Sequence, residues 1–213
     1  MKTIIAIPCM DYIEKDFAEC LSRLTERYTE DEVEVLYLGG SLVYDARNQL
    51  AKLIAGKGKY DYVLWLDSDM TFEPDILERL KEDMTDGRMA VSGLCFGRRP
   101  PFKPCIYKTL DVQNDGKVVT PVADPWFDYP RDQIFEVAGC GFACLLMKVD
   151  VLEAMSLYGV PFFPIAGLGE DLTFCWRAAK LDIKFHCDSR IKIGHIMRIS
   201  VDEAFRDKLL SGQ

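Results

Sequence analysis

Two carboxylates separated by one residue form the strongest chemical signal in this chain. Asp67-Ser68-Asp69 directly follows the apolar run 62–66, and a short run rich in β-branched and aromatic residues predicts a buried strand. In open α/β sheets ligands bind outside the carboxyl ends of the strands, where two carboxylates can hold a divalent cation that carries an anionic substrate. Taken alone the pair is a weak signal, because acidic residues after a strand often only form a turn.

Other candidate residues also stand at the ends of predicted elements. Glu170-Asp171 precede an apolar-periodic segment, and Gly194-His195 lie near the C-terminus. Acidic residues interact favourably with the start of a helix, so capping by itself explains Glu170 and Asp171. For His195 the simplest interpretation is a hydrogen-bonded residue at a strand end.

Strand and helix patterns alternate over the first hundred residues. Strands are predicted at 1–9, 33–38, 62–66 and 89–95, and helices at 11–28, 46–55 and 75–84. This alternation predicts right-handed crossovers and an α/β fold with a mostly parallel sheet and helices on both faces. The third strand carries Asp67 and Asp69.

The second half of the chain begins with a break in this pattern. Prolines are frequent between residues 97 and 133, and Asn114-Asp115-Gly116 predicts a hairpin turn, so we expect a small β-ribbon or lid insertion there. Beyond it the sequence predicts one strand at 134–147 interrupted by Gly139 and Gly141, a helix at 149–157, a helix from Glu170, short edge strands at 183–187 and 190–194, and a terminal helix at 201–210. The two glycines suggest a bulge or a close approach of the backbone to a ligand. We expect residues 1–213 to form one domain.

Composition narrows the class of protein. The net charge of −8 argues against nucleic acid as a major partner, because such binding depends on Lys and Arg. No apolar run is long enough to span a membrane, and the segment before Pro8 is too short for a signal peptide. The eight cysteines contain no CxxC pair and are expected to be reduced, which favours a cytoplasmic location.

The motifs resemble, in order and spacing, those of the inverting glycosyltransferases of family 2, which have the nucleotide-diphospho-sugar transferase (GT-A) fold. The landmarks are Ala46-Arg47-Asn48, Asp67-Ser68-Asp69, the glycine-bearing segment 138–142, Gly169-Glu170-Asp171 with Phe174 and Arg177, and Gly194-His195. The resemblance covers nearly the whole chain. It implies a Rossmann-like GT-A domain with a nucleotide-binding half at 1–96, an insertion at 97–133 and an acceptor-side half at 134–213.

The resemblance also implies a reaction, in which a sugar moves from a nucleoside diphosphate, expected to be UDP, to an acceptor hydroxyl with inversion. The departing diphosphate must be neutralised, and a divalent cation does this as a Lewis acid. Asp69 and His195 would bind the cation and Asp67 would bind the ribose or a metal-bound water. A nitrogen ligand favours Mn²⁺ over Mg²⁺. Asp171 would be the general base, and Glu170 would bind sugar or acceptor hydroxyls.

Donor-binding residues follow from the same resemblance. Arg47 would contact phosphate or organise the acidic pair, although it could instead be a solvated helix arginine. The loop after the first strand would line the base pocket, and Gly139 and Gly141 would pass beneath the donor sugar, or form a simple bulge. These candidates are Pro8, Asp11, Tyr12, Arg47, Asp67, Ser68, Asp69, Gly139 and Gly141.

Some features leave alternatives open. Many family members carry an Asp-Asp-Gly-Ser type motif after the second strand, whereas this chain has Leu38-Gly39-Gly40-Ser41, so the nucleotide is uncertain. Residues 67–71 also fit the DxDxT signature of haloacid-dehalogenase-like phosphatases, in which the first Asp is a nucleophile. That motif usually lies on the first strand. The remaining alternative is a non-catalytic sugar-nucleotide-binding module. The acceptor (a glycan, lipid-linked or protein), retention or inversion, and the oligomeric state stay open.

Overall fold

The computed structural model describes residues 1–40, 42–165 and 167–211, so Ser41 and Ala166 of the predicted loops lie outside the described residues. The strands are β1 (Thr3–Pro8), β2 (Val33–Leu38), β3 (Tyr62–Leu66), β4 (Met70–Thr71), β5 (Ala90–Leu94), β6 (Ile106–Asn114), β7 (Val119–Pro125), β8 (Ile134–Val137), β9 (Gly139–Cys140), β10 (Cys144–Lys148), β11 (Phe185–Lys192) and β12 (Gly194–His195). The helices are α1 (Lys15–Thr25), α2 (Val43–Ile54), α3 (Ile76–Glu82), α4 (Val149–Leu157), α5 (Glu170–Ala179) and α6 (Glu203–Ser211).

A seven-stranded sheet forms the centre of the molecule, with the strand order β2-β1-β3-β10-β5-β11-β8. Five of these strands run in one direction, and β10 and β8 run against them. The predicted α/β class with a mostly parallel sheet is therefore confirmed.

Both faces of β3 are buried. Val63, Leu64, Trp65 and Leu66 have no exposed surface. Alternate residues point to opposite faces of a strand: Val63 and Trp65 pack with side chains of α2, α4 and α5, whereas Leu64 and Leu66 pack with those of α1 and α3. A strand covered by helices on both faces is expected to be apolar throughout. Because β3 ends at Leu66, the apolar run ends there too, and Asp67 is the first residue beyond the strand.

The prediction of one strand at 134–147 was wrong. The segment forms three strands in two sheets: β8 lies at the edge of the central sheet, β9 pairs with β6, and β10 inserts between β3 and β5. The chain leaves one sheet and enters the other around Gly139, where a Cβ atom would lie 2.7 Å from Leu110 Cδ2. Gly139 lies where β9 packs closely against Leu110 of β6 and against α5, whose Cys175 Cβ would be 3.3 Å away, so a side chain here would displace these neighbours.

The predicted edge strands at 183–187 and 190–194 were also wrong. They are largely one strand, β11, which lies between β5 and β8 and has an irregular register between Asp188 and Lys192. Two helix starts differ as well: α1 begins at Lys15 and α2 at Val43. Helix ends are the least reliable part of such predictions, because fraying and capping depend on the surroundings.

The predicted ribbon is present. β6 and β7 form a hairpin, and β9 extends it to a three-stranded sheet. Gly116, with φ of 84°, lies in the turn, and its N–H donates to Asn114 Oδ1 at 2.9 Å. The longest helix in the described part of the chain, α2, has 12 residues, fewer than the about 20 apolar residues that a membrane-spanning helix needs.

Candidate functional site

The short strands β4 and β12 bring Asp69 and His195 together. β4 directly follows the acidic pair and runs antiparallel to β12, with His195 opposite Met70. The backbone N–H of Ile196 donates to the Asp69 carbonyl at 2.9 Å. A Cβ atom on Gly194 would lie 2.2 Å from Thr71 Oγ1, so a side chain before His195 would clash with Thr71 as the strands now lie.

Hydrogen bonding orients the His195 ring towards Asp69. Nδ1 lies 2.8 Å from the Phe96 carbonyl oxygen, which can only accept a hydrogen bond, so Nδ1 carries a proton. Nε2 then faces Asp69 Oδ2 at 3.4 Å. The hydrogen bond to Phe96 therefore fixes the ring orientation and leaves Nε2 as the nitrogen directed at Asp69.

The charges of Asp69 and His195 support each other. Burial opposes ionisation of Asp69, but His195 and Arg98 hold its pKa below the usual value. Burial also disfavours the imidazolium form, yet Asp69 and the Phe96 carbonyl raise the pKa of His195. In the absence of a cation, the pair is therefore stabilised as carboxylate and imidazolium.

Besides His195, the side chain of Arg98 also contacts the Asp69 carboxylate. Its Nη1 lies 2.8 Å from Asp69 Oδ2, the same oxygen that faces His195. The sequence analysis did not identify Arg98, which lies just after β5 at the start of the predicted insertion. Arg98 is not part of any recognisable motif. The one signal that could have identified it is the acidity of the site, which requires a positively charged side chain nearby.

Arg47 organises the remaining acids from a buried position. It is 2% exposed, and its Nη2 donates to Asp67 Oδ1 at 2.8 Å. Its Nε lies 3.3 Å from Glu170 Oε1, an ion pair without hydrogen-bond geometry. The guanidinium also lies against the rings of Trp65 and Phe142, at 5.8 and 5.5 Å. Of the two interpretations of Arg47, the solvated arginine was wrong.

Asp67 and Asp69 therefore point to different partners. Burial raises the pKa of Asp67, Arg47 opposes this, and Asp69 and Glu170 add to the rise.

Among the described residues no group of three His, Cys, Asp or Glu side chains converges on one point. If Asp69 and His195 bound a divalent cation, its other ligands would have to come from substrate oxygens and water.

Glu170 and Asp171 open α5 after Gly169. Asp171 Oδ1 accepts a hydrogen bond from the Leu172 backbone N–H at 2.7 Å. Burial raises the pKa of Asp171 to about 6, with Glu170 adding to the rise and Arg47 opposing it. A carboxyl group with a pKa near the working pH suits a general base.

The two glycines have different surroundings. Gly139 is buried beneath Leu110 and α5, which indicates a packing role. A Cβ atom on Gly141 would lie 3.6 Å from Asp171 Oδ2 and 3.3 Å from Cys105 Cβ. Of the pair, Gly141 is therefore the one that borders the candidate base.

A cavity of about 280 Å³ opens beside the acidic pair. Its wall includes Pro8, Asp67, Ser68, Asp69, Arg98 and His195. Asp11 and Tyr12 do not line it: both are exposed, and the Arg198 guanidinium lies 5.2 Å from the centre of the Tyr12 ring. The first part of the loop after β1 thus reaches the cavity, and the predicted nucleoside contacts of Asp11 and Tyr12 stay a prediction.

Asn48 has a structural role that the sequence analysis did not assign. Its Nδ2 donates to the Phe162 carbonyl at 2.6 Å, and its Oδ1 accepts from the Phe162 N–H at 2.9 Å. Arg177 of α5 donates to the carbonyls of Tyr158, Val160 and Pro161 in the same loop. Two adjacent residues of α2 therefore hold different parts of the molecule: Arg47 binds Asp67 and Glu170, and Asn48 binds this loop.

No protein-family model and no curated protein sequence matches the chain. Solved structures with a similar fold include A197 from STIV and GalNAc-T7. A197 from STIV has a TM-score of 0.66 at 18% identity, with 93% of this chain and 87% of A197 covered. GalNAc-T7, a GT-A glycosyltransferase crystallised with UDP, GalNAc and Mn²⁺, has a TM-score of 0.60 at 11% identity, with 93% of this chain and 44% of GalNAc-T7 covered. Identities this low establish the fold alone, and the chain therefore has a GT-A-like fold.

Proposed function

We propose that this protein is a glycosyltransferase that moves a sugar from a nucleoside diphosphate, with UDP as the expected nucleotide, to an acceptor hydroxyl. The observation that carries the proposal is the pairing of Asp69 with His195 beside a cavity at the carboxyl end of β3, within a GT-A-like fold. The fold limits the chemistry, and the pair supplies the two cation ligands.

Asp69 and His195 would hold the cation, Mn²⁺ or Mg²⁺. The cation would neutralise the charge that develops on the departing diphosphate. The Phe96 carbonyl keeps His195 Nε2 directed at Asp69. Asp67, whose carboxylate is held by Arg47 at 2.8 Å, would bind the ribose or a metal-bound water.

Asp171 would take the proton from the acceptor hydroxyl as that oxygen attacks the anomeric carbon. Its pKa of about 6 lets it be ionised near neutral pH and still accept a proton in the transition state. Glu170, beside it, would bind a sugar or acceptor hydroxyl with the part of its carboxylate that Arg47 leaves free. Attack by an acceptor activated in this way leads to inversion.

The phosphatase alternative is less well supported. It requires Asp67 as the nucleophile, whereas the Asp67 carboxylate is in an ion pair with the buried Arg47. A binding module without turnover would have the same arrangement of Asp69 and His195, so only a measurement of activity can distinguish it from a transferase.

A panel of nucleotide sugars with Mn²⁺ tests the proposal. We expect one UDP-sugar to raise the melting temperature and to release free UDP slowly, as transfer to water replaces transfer to the acceptor. Asp69→Asn should abolish the Mn²⁺-dependent part of both effects, whereas Asp31→Asn, at an exposed position outside the cavity, should leave them unchanged.

Other outcomes would contradict the proposal. Release of phosphate from phosphomonoesters without nucleotide-sugar binding would favour the phosphatase. Binding of a UDP-sugar without turnover, with glycan, lipid-linked and peptide acceptors all supplied, would favour the binding module.

A further inference from the structure

Arg98 and the proposed cation would compete for one oxygen atom. Arg98 Nη1 lies 2.8 Å from Asp69 Oδ2, and His195 Nε2 lies 3.4 Å from the same oxygen. A divalent cation bound by Asp69 and His195 would stand closer to Oδ2 than the guanidinium does, since metal–oxygen distances are about 2.0–2.6 Å. The two positive groups would then repel each other at short range.

Arg98 has the freedom to leave Asp69. Its side chain is 52% exposed, whereas that of Asp69 is 24% exposed. Asp69 is the only ion-pair partner of Arg98 in the described part of the chain. Arg47, the other arginine of the site, is buried and held by Asp67 and Glu170. Of these two arginines, Arg98 is therefore the one that can exchange partners.

The cavity offers a second partner for Arg98 when the donor is bound. Arg98 lines the cavity with Asp69 and His195, where the donor's diphosphate would meet the cation. A guanidinium binds phosphate through two parallel hydrogen bonds, and such charge-assisted contacts are strong. Asp67 and Asp69 line this cavity, so an anionic ligand there needs a further positive charge besides the cation.

We infer that Arg98 is a donor-binding residue that exchanges partners, pairing with Asp69 in the free protein and with the donor diphosphate once a cation occupies Asp69. The inference rests on the proposed function, because the diphosphate is that of the proposed donor. Arg98 should therefore weaken the binding of the cation alone and strengthen the binding of UDP in the presence of the cation.

Opposite effects on two ligands test this inference. We would measure the dissociation constant of Mn²⁺ alone, and that of UDP at saturating Mn²⁺, by titration calorimetry. Arg98→Met should tighten Mn²⁺ binding by about two- to fivefold, because a partly exposed ion pair contributes little. It should weaken UDP binding by roughly 10- to 100-fold, as expected for lost hydrogen bonds to a charged group.

Arg99→Met is the matched control. Arg99 is exposed and adjacent, and its replacement removes the same charge. Both dissociation constants should stay within twofold of the wild-type values, and the melting temperatures of both variants should match that of the wild type.

The remaining outcomes overturn either this inference or the function beneath it. If wild-type protein binds Mn²⁺ and UDP but Arg98→Met changes both affinities in one direction, or neither, the partner exchange is wrong and the proposed function stands. If Arg99→Met reproduces the Arg98→Met effects, they reflect net charge and the inference is again wrong. If wild-type protein binds neither Mn²⁺ nor UDP, the proposed function is wrong and the inference falls with it.

Discussion

Arg47 donates to Asp67 at 2.8 Å from a position that is 2% exposed. The same guanidinium reaches Glu170, so it connects the acidic pair after β3 with the acidic pair that opens α5. Three charged groups from three distant segments are thereby held in a fixed arrangement beside the cavity.

Replacing Arg47 should destabilise the protein strongly. Arg47→Met leaves Asp67 and Glu170 close together without their counter-ion, and breaking a buried ion pair typically costs about 3–5 kcal/mol. Asp67 keeps 29% of its side chain exposed, so we expect the lower end, about 3 kcal/mol in urea unfolding. The double variant Arg47→Met/Asp67→Asn should recover part of this loss, and equal stability of single and double variants would contradict the pairing.

Gly194→Ala should disturb the contact between Asp69 and His195, the two proposed cation ligands. The new methyl group would lie 2.2 Å from Thr71 Oγ1 and push β12 away from β4. Overpacking of this kind costs about 1–3 kcal/mol, and the Mn²⁺ affinity should fall because His195 moves from Asp69. Adding Thr71→Ala removes the clashing oxygen, so the double variant should recover both stability and Mn²⁺ affinity. An unaltered Mn²⁺ affinity in Gly194→Ala would contradict this account.

The pKa of Asp171 predicts a pH-dependent rate. The base must be ionised, so kcat/KM should rise with pH through about 6, and it should show no such rise in Asp171→Asn, which should still bind donor. A pH profile of transfer tests this. Normal transfer by Asp171→Asn would show that another group is the base.

Asp171 should also reduce stability at neutral pH. A carboxyl group whose folded pKa is raised stabilises the fold below its unfolded pKa, about 3.9, and this contribution is lost as pH rises through about 6. Asp171→Asn should therefore melt higher than wild type at pH 7.5, by roughly 2–4 °C for each kcal/mol gained. The difference should shrink at pH 4, and Asp11→Asn, an exposed position, should show no such trend.

A second pH-dependent cluster lies away from the site. Arg190 bridges Asp83 and Asp188 at 2.9 Å each. Burial and the neighbouring Asp188 raise the pKa of Asp83 to about 6. Its contribution to stability is therefore lost between about pH 4 and 6 as pH rises. Asp83→Asn should stabilise the protein by roughly 1 kcal/mol at pH 7.5 and little at pH 4. An equal effect at both pH values would contradict the raised pKa.

Asn48→Ala should loosen the loop that follows α4. Two hydrogen bonds to Phe162 would be lost, with an expected cost of about 1–3 kcal/mol, because the Phe162 backbone groups lose their partner. Limited proteolysis should cut the variant faster in residues 158–163. Gln49→Ala is the control. Gln49 follows Asn48 on α2, but its side-chain amide donates to Asp45 and not to the loop, so this variant should leave the cleavage rate unchanged.

The sequence alone determined the local features. The run 62–66 predicts β3 because its residues are uniformly apolar, and Asp67 and Asp69 then fall at its carboxyl end. The hairpin turn at Asn114-Asp115-Gly116 was equally predictable, because glycine favours the positive φ that it adopts. Periodicity and turn chemistry act between residues close in the chain, so a single sequence reveals them.

Tertiary structure decided which of these residues meet. The insertion of β10 between β3 and β5, the pairing of β4 with β12, and the contacts of Arg47 with Asp67 and of Arg98 with Asp69 all join distant segments. No periodicity encodes them, because each depends on strand order and on where buried charge must be neutralised. Asp67 and Asp69 differ by two positions in sequence, yet one pairs with a buried arginine and the other with an exposed arginine and a histidine, because neighbouring backbone positions of a turn face different parts of the fold.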